Sequence, residues 1–285
     1  MYFLSLITRY LNEPFLEEFA EYYLSEGVDH IYVLFDVDST LPICDSVFRN
    51  PKVTVIPSHS FKERQTLDVN RLYHTIRDKT EWVLFVDCDE FISTRNTAEH
   101  SIRDELKTTF RGADCVKVPW VMMSSNGRET DPPSILQHIT HRWNHDIKHP
   151  HPSGWAKGRC RYEQIEVKCF TRCSKFTQLN LHHPVGNTQS KTVCVDSVHN
   201  KPAIIDPFFN NLRESDIQSA HMVCYHYRIF SKQSVNRKCL NNKLVNYQPK
   251  FVQHLLDSDH ADLEDDYMKR KSMVWFAPKL VNGGK

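Results

Sequence analysis

The sequence predicts an α/β protein built on a mostly parallel sheet flanked by helices. Two features of its 285 residues lead there: apolar runs of strand length alternate with segments of helical periodicity, and two of those runs end in aspartate. Strands that are apolar on both faces belong to parallel sheets covered on both sides. Such sheets bind ligands beyond the carboxyl ends of their strands. No internal repeat or low-complexity linker divides the chain, so residues 1–285 read as one domain.

The elements follow in order. "YFLSLI" (2–7) reads as a buried strand, and "NEPFLEEFAEYYLSEG" (12–27) as a helix with Asn12 as N-cap, Pro14 in the first turn and Gly27 just past the end. Phe15, Phe19 and Tyr22 fall on one face of it. "HIYVLFD" (30–36) and "KVTVIP" (52–57) are the next strands. In "ERQTLDVNRLYHTIRDK" (63–79), Val69, Leu72, Tyr73 and Ile76 keep the spacing of an amphipathic helix. "EWVLFVD" (81–87) and "CVKVPWVMM" (115–123) are further strands. Beyond them the pattern loosens. "SSNGRETDPPS" (124–134) reads as a loop, and "HRWNHDIKHPHPSGWAKGR" (141–159) has no periodicity, which marks a functional loop or a disordered one. "QIEVKCF" (164–170) and "HMVCYHYRIF" (221–230) are strand-like. "SKQSVNRKCLNNKLVNY" (231–247) reads as a basic helix and "LLDSDHADLEDDYMKRK" (255–271) as a solvated one.

Composition narrows the class. Thirty-six Lys and Arg against 35 Asp and Glu leave a net charge of +1, which argues against a nucleic-acid-binding or polybasic membrane surface. Nine scattered cysteines suit reduced thiols rather than a disulfide framework; Cys169 and Cys173, spaced CxxxC, are a weak zinc signal. No run reaches the roughly 18 apolar residues of a membrane span, the opening "MYFLSLITRYLNE" lacks a basic leader, and no N-x-S/T sequon occurs. The expectation is a cytoplasmic protein, in the host cytoplasm if the source is a virus.

The chemistry concentrates in "EWVLFVDCDEFI" (81–92). A carboxylate at the end of a buried strand costs several kcal/mol unless it is paired or bound to a cation. Asp87 and Asp89 lie on the same side of an extended chain, so both can face one ligand. Hard cations such as Mn²⁺ or Mg²⁺ share one or two carboxylates with substrate phosphates. The competing reading is that the acids cap the next helix or pair with nearby arginines.

"EWVLFVDCDEFI" resembles the DxD motif of GT-A fold glycosyltransferases. "RYLNEPFLEEFAEYYLSEGVDHIYVLFDVDS" is similar to the opening of family 92 and family 2-like enzymes. "CVKVPWVMMSSNG" and "YHYRIFSKQSVNRK" resemble their later strand, loop and His-Tyr segment, and the likeness runs in order through residues 4 to 240. Stretch 140–165 departs from the family pattern, as does Arg9-Tyr10-Leu11 before Asn12-Glu13. The resemblance implies a GT-A (Rossmann-like) fold with a nucleotide-sugar-binding half (1–125) and an acceptor and metal-completing half (126–285). It also implies an enzyme that moves a sugar from a UDP-sugar donor to a glycan or glycoprotein acceptor. Similar compact members occur in bacteria and large algal viruses and include ones that attach xylose, which makes UDP-xylose a candidate donor.

Residue by residue, the resemblance implies Asp89 as a direct metal ligand, Asp87 on the metal or the ribose, and Glu90 as support for the turn. His226 is the candidate for a third metal ligand, ahead of His221, with His182 or His183 behind. Thr8, Arg9 and Asp36 would meet the uracil and ribose, and Arg64 and Asn70 would flank the donor. Arg228, Lys232 and Lys238 are candidates for holding the diphosphate. An inverting enzyme needs a carboxylate to take the acceptor proton; Asp131 is chosen over Glu129 and Asp146, while a retaining mechanism would need none. Trp120, Trp143 and Trp155 could stack on acceptor rings, although a buried tryptophan is the commoner outcome. Two other classes compete: a metal-dependent nucleotidyltransferase, for which "LITRYLNEP" lacks the Gly-rich phosphate loop, and a non-catalytic carbohydrate- or nucleotide-binding protein on the same fold.

Overall fold

A computed structural model describes residues 1–59, 61–95, 99–149, 164–188, 191–241 and 249–281, without the side chains of 61–65, 239–241, 249–251, 254 and 275–281. Strands and helices alternate first: β1 (Tyr2–Tyr10), α1 (Leu16–Ser25), β2 (His30–Asp36), α2 (Asp45–Phe48), β3 (Val53–Ser58), α3 (Phe61–Ile76), β4 (Thr80–Phe85), β5 (Glu90–Thr94), α4 (Ile102–Lys107) and β6 (Cys115–Ser124). Shorter pieces follow: α5 (Ile135–His138), β7 (His141–Arg142), β8 (Gln164–Arg172), β9 (Phe176–Leu179), β10 (Pro184–Asn187), β11 (Cys194–Asp196) and β12 (Phe208–Asn210). The chain closes with α6 (Glu214–Ser219), β13 (Met222–His226), α7 (Lys232–Asn241), α8 (Pro249–Asp257), β14 (Leu263–Glu264) and α9 (Tyr267–Val281).

Strands β4, β1, β2 and β3 pair in parallel in that order. β8 runs antiparallel to both β4 and β6, which returns β6 to the direction of β4, and β13 lies parallel to β6. The carboxyl ends of β1 to β4, β6 and β13 therefore open on one rim. Pro119 lies inside β6, where a missing N–H would normally break the ladder. The strand changes partners there: β8 pairs with Cys115 to Pro119 and β13 with Trp120 to Met122.

The rim is braced from α1. Tyr22 and Tyr23 donate their hydroxyls to the carbonyls of Ile92 and Glu90, each at 2.8 Å. The rings of Phe19, Tyr22 and Tyr23 pack on Phe91. Each such ring contributes about 1.5–3 kcal/mol on burial, and together they fix β5 beneath the acidic turn. Gly27 ends α1 at φ +90°, where a Cβ would lie 2.6 Å from Arg103 Cβ.

Two expectations change. Asn12 is not the N-cap of α1; that position belongs to Phe15. Asn12, at φ 60°, accepts the N–H groups of Thr40 and Leu41, each at 2.8 Å, using asparagine's tolerance of left-handed backbone. The 255–271 segment is not one solvated helix either. Leu263–Glu264 forms β14 against β7, Asp265 is buried against Arg142 (2.7 Å) and Arg95 (3.0 Å), and Lys271 is buried on Glu26 (2.6 Å). The basic helix is described from Lys232 to Asn241, and 242–247 lies outside the described residues. Among the described residues no helix is long and apolar enough to cross a membrane.

Candidate active site

Strand β4 stops at Phe85, and the acids after it form a turn rather than the extended chain expected. Glu90 N–H donates to the Asp87 carbonyl at 3.1 Å, and Asp87 N–H donates to Glu90 Oε2 at 2.7 Å. Glu90 thus fastens the turn, the supporting role expected of it. Tyr227 N–H donates to the Asp89 carbonyl at 2.8 Å, and Glu90 pairs in register with His226 across β5 and β13. Cys88 donates its thiol to the Arg9 carbonyl at 3.1 Å and also lies 3.3 Å from the Thr8 hydroxyl, which ties the turn to β1.

Each aspartate has its own lysine. Asp87, 43% exposed, accepts from Lys168 Nζ at 3.0 Å; that ammonium is 1% exposed and also meets Glu90 Oε2 at 3.1 Å and the Leu181 carbonyl at 3.2 Å. Burial opposes the charge on Lys168, but Asp87 and Glu90 outweigh it and hold its pKa above the ordinary lysine value. Burial pushes Glu90 up to about 8 against the pull of Lys168. Asp89, 11% exposed, accepts from Lys238 Nζ, which also donates to the Arg228 carbonyl at 2.9 Å.

His226 Nε2 lies 3.7 Å from Asp89 Oδ1, and the Trp120 ring packs 4.2 Å from the His226 ring. Burial, then Lys238 and Arg228, hold the imidazole well below its usual pKa, so it is neutral near pH 7, the form that binds metals. Glu13 completes the cluster. Burial raises its pKa to about 7, Lys238 and Arg237 oppose the rise, and Asp89 and Asp87 add to it.

Among the described residues no group of three or more His, Cys, Asp or Glu is arranged to hold a metal ion. The donor chemistry is nonetheless compatible with one. A carboxylate and a neutral imidazole meet at Asp89 and His226, and hard-cation sites commonly draw their other ligands from water and substrate phosphate. Glu90 Oε1, His226 Nδ1 and Trp120 Nε1 are buried around this point without a hydrogen-bond partner among the described residues, as a site shaped for a polar ligand would leave them.

The other candidates divide. Arg9 and Asp36 pair with each other at 2.7 Å and are nearly inaccessible, and Thr8 is fully buried. Asn70 fastens α3 to β9 through two bonds with the Leu179 backbone. The Arg64 side chain lies outside the described set. Arg228 reaches the cluster, whereas Lys232 is an exposed partner of Glu129 at 2.6 Å. Asp131 accepts from Ser231 at 2.5 Å and from Arg237 Nη1 at 2.6 Å, and that arginine also acts on Glu13. Asp146 is exposed beside Arg213.

Among the histidines, His182 packs edge-on to Trp120, and burial lowers it to about 4. His183 faces Lys117 and Asp206 instead. His221 precedes the far end of β13, against Glu105. Trp120 and Trp143 are buried and Trp155 lies outside the described residues.

Three features escaped the sequence reading. Lys168 is one, although a lysine centred in "QIEVKCF" signalled a buried cation that needs a carboxylate. Glu13 is another. The third is His59, at the end of β3: Asp68 accepts both its backbone N–H (2.8 Å) and its ring Nδ1–H (3.0 Å). Beyond β6 the rim opens into a cavity of about 350 Å³ bounded by Ser124 to Arg128 and by His138, Thr140 and His141.

A parallel sheet that carries an acidic, lysine-balanced turn at its carboxyl rim is the framework of a sugar transferase of the GT-A kind. Residues 9–270 match the profile of Glycosyltransferase family 92, and the chain belongs to that family. It is a glycosyltransferase. No curated protein sequence matches the chain. Among solved structures, Staphylococcus aureus TarS 1–349 is 14% identical over 99% of this chain and 74% of that one, with a TM-score of 0.36. The same fragment in complex with UDP-GlcNAc gives 15%, 99%, 75% and 0.37. HddC from Yersinia pseudotuberculosis gives 11% over 77% of this chain and 98% of that one, with a TM-score of 0.32. Likenesses this remote carry no information about substrate.

Proposed function

We propose that the protein transfers a sugar from a UDP-linked donor, UDP-xylose among the candidates, to a glycan acceptor with inversion. The observation that carries this reading is the cluster of Asp87, Asp89, Lys168, Lys238 and His226 on one rim. Sugar transfer leaves a diphosphate, and its developing charge needs preorganised cations. Lys238 and Arg228 are placed to meet it, while Lys168 holds Asp87 and Glu90 in place. Asp89 and His226, with Asp87 alongside, would hold Mn²⁺ or Mg²⁺, which when bound supplies Lewis-acid stabilisation of the leaving diphosphate.

On the base side, Asp36 is fully buried and His59 is half exposed. With Nδ1 committed to Asp68, Nε2 is the ring nitrogen of His59 that would meet the polar edge of uracil. Asp131 and Glu13 are the two carboxylates proposed for the acceptor's proton, with Arg237 beside both. Glu13, raised to about 7, is the better matched to proton transfer near neutral pH.

UDP release from a panel of UDP-sugars, with mixed oligosaccharides as acceptors, tests the reading. One donor should turn over, Glu13→Gln or Asp131→Asn should lower kcat by roughly 100-fold or more with KM little changed, and the product should show inverted anomeric configuration. No turnover of any UDP-sugar with Mn²⁺ or Mg²⁺ present would overturn it.

A further inference from the structure

We infer that the cavity beyond β6 binds an acceptor glycan bearing an anionic group, a carboxylate or a phosphate. This rests on the proposed transfer from a UDP-linked donor to a glycan and deepens it. The cavity lies on the rim of the acidic turn. His226 pairs in register with Met122, and Ser124 lies two residues further along β6, about 7 Å on at strand rise. Lys232, which opens α7, donates its N–H to the Arg128 carbonyl at 2.9 Å, and the same helix carries Lys238 to Asp89. A sugar in the cavity is therefore next to the position proposed for the donor diphosphate.

The walls are fixed before a ligand arrives. Asn126 (φ 51°) and Gly127 (φ 71°) are both left-handed, the mark of a tight two-residue turn. Ser124 pairs with His141 across β6 and β7. Asp259 accepts the Ser125 N–H at 3.0 Å and its hydroxyl as well. The volume, about 350 Å³, suits a small ligand.

The lining chemistry selects the class. Among the described residues no Trp, Tyr or Phe borders the cavity, so none of them supplies the ring stacking that often holds a neutral sugar. Among the described residues its ionisable lining is Arg128, His138 and His141, all basic. Of the acids nearby, Glu129 is taken by Lys232 and Asp131 by Arg237, Asp259 accepts from the wall residue Ser125, and the exposed Glu264 pairs in register with His141 across β14 and β7. Among the described residues the Arg128 guanidinium has no carboxylate partner. Its planar fork matches a carboxylate or phosphate in a way that a sugar hydroxyl cannot.

Calorimetric titration of the full chain, in the presence of UDP and Mn²⁺, with D-glucuronate, D-glucose 6-phosphate and D-glucose tests this. At least one anion should bind tenfold or more tighter than glucose, which is about 1.4 kcal/mol. Arg128→Ala should bring that preference within about threefold while thermal stabilisation by UDP is retained. Preference for glucuronate alone assigns a carboxylate, and preference for the phosphate alone assigns a phosphate. A readout free of variants is salt: the wild-type preference should shrink as ionic strength rises. Glucose binding as tightly as both anions, or an unchanged preference in Arg128→Ala, overturns the inference. Absence of UDP stabilisation in the wild type would instead sink the UDP-donor reading.

Discussion

Lys238→Met separates the two partners that compete for Asp89. In the wild type the Lys238 ammonium sits on Asp89 and on the Arg228 carbonyl. Removing it releases the carboxylate and deletes one cation from the proposed diphosphate site. A charge-assisted bond to phosphate contributes about 1.5–3 kcal/mol, so UDP affinity should fall by roughly 10- to 150-fold. The freed Asp89 no longer has an ion pair to break, a saving of about 1 kcal/mol, so Mn²⁺ alone should bind about fivefold tighter. Two titrations measure these shifts: calorimetry of UDP at saturating Mn²⁺, and spin-resonance titration of Mn²⁺ without nucleotide. Opposite signs are the signature of the proposed arrangement. If UDP affinity stays within threefold of wild type, Lys238 does not hold the diphosphate. If Mn²⁺ alone binds no tighter, Lys238 does not compete with metal for Asp89.

Two further predictions concern stability. Glu13 has a folded pKa of about 7 against an ordinary value of 4.5, so the folded state holds the extra proton and stability falls as pH rises between those values. Glu13→Gln should therefore be more stable than wild type at pH 8, by up to about 3 kcal/mol, with no gain at pH 4; equal urea midpoints at pH 8 would contradict the assignment. Arg142 donates to Glu214 at 2.9 and 2.8 Å and to Asp265 at 2.7 Å, so Arg142→Met should cost about 3–5 kcal/mol at pH 7. Burial raises both acids, but their arginine bonds outweigh it and hold them below ordinary values. That contribution is complete above the unfolded values, near 4.5 for Glu214 and 3.8 for Asp265, and is lost as pH falls through the lower folded ones. Urea titrations should show the difference from wild type narrowing in acid, and a constant difference would refute the pairing.

Much of the first half was legible because its signals are local. Apolar runs ending in acids placed β2 and β4 and marked the turn at Asp87 to Glu90, and the glycine after α1 marked that helix's end. What escaped depends on partners distant in sequence. Asp36 reads as a rim acid, yet its charge is taken by Arg9. Asp265 reads as one of several solvated acids, but two arginines more than a hundred residues away enclose it. Asn12 caps a loop instead of a helix, because left-handed backbone lets it reach Thr40 and Leu41. The two lysines were uneven: Lys238 was readable as a phosphate candidate, whereas Lys168 was hidden inside a strand pattern.

The most direct test of the central claim is thermal unfolding of wild type and Asp89→Ala with UDP, GDP and CMP, each with and without Mn²⁺. The account predicts that UDP with Mn²⁺ stabilises the wild type most, and that Asp89→Ala abolishes the Mn²⁺-dependent part of the shift. Absence of any shift with UDP and Mn²⁺, or a full shift in Asp89→Ala, would contradict it.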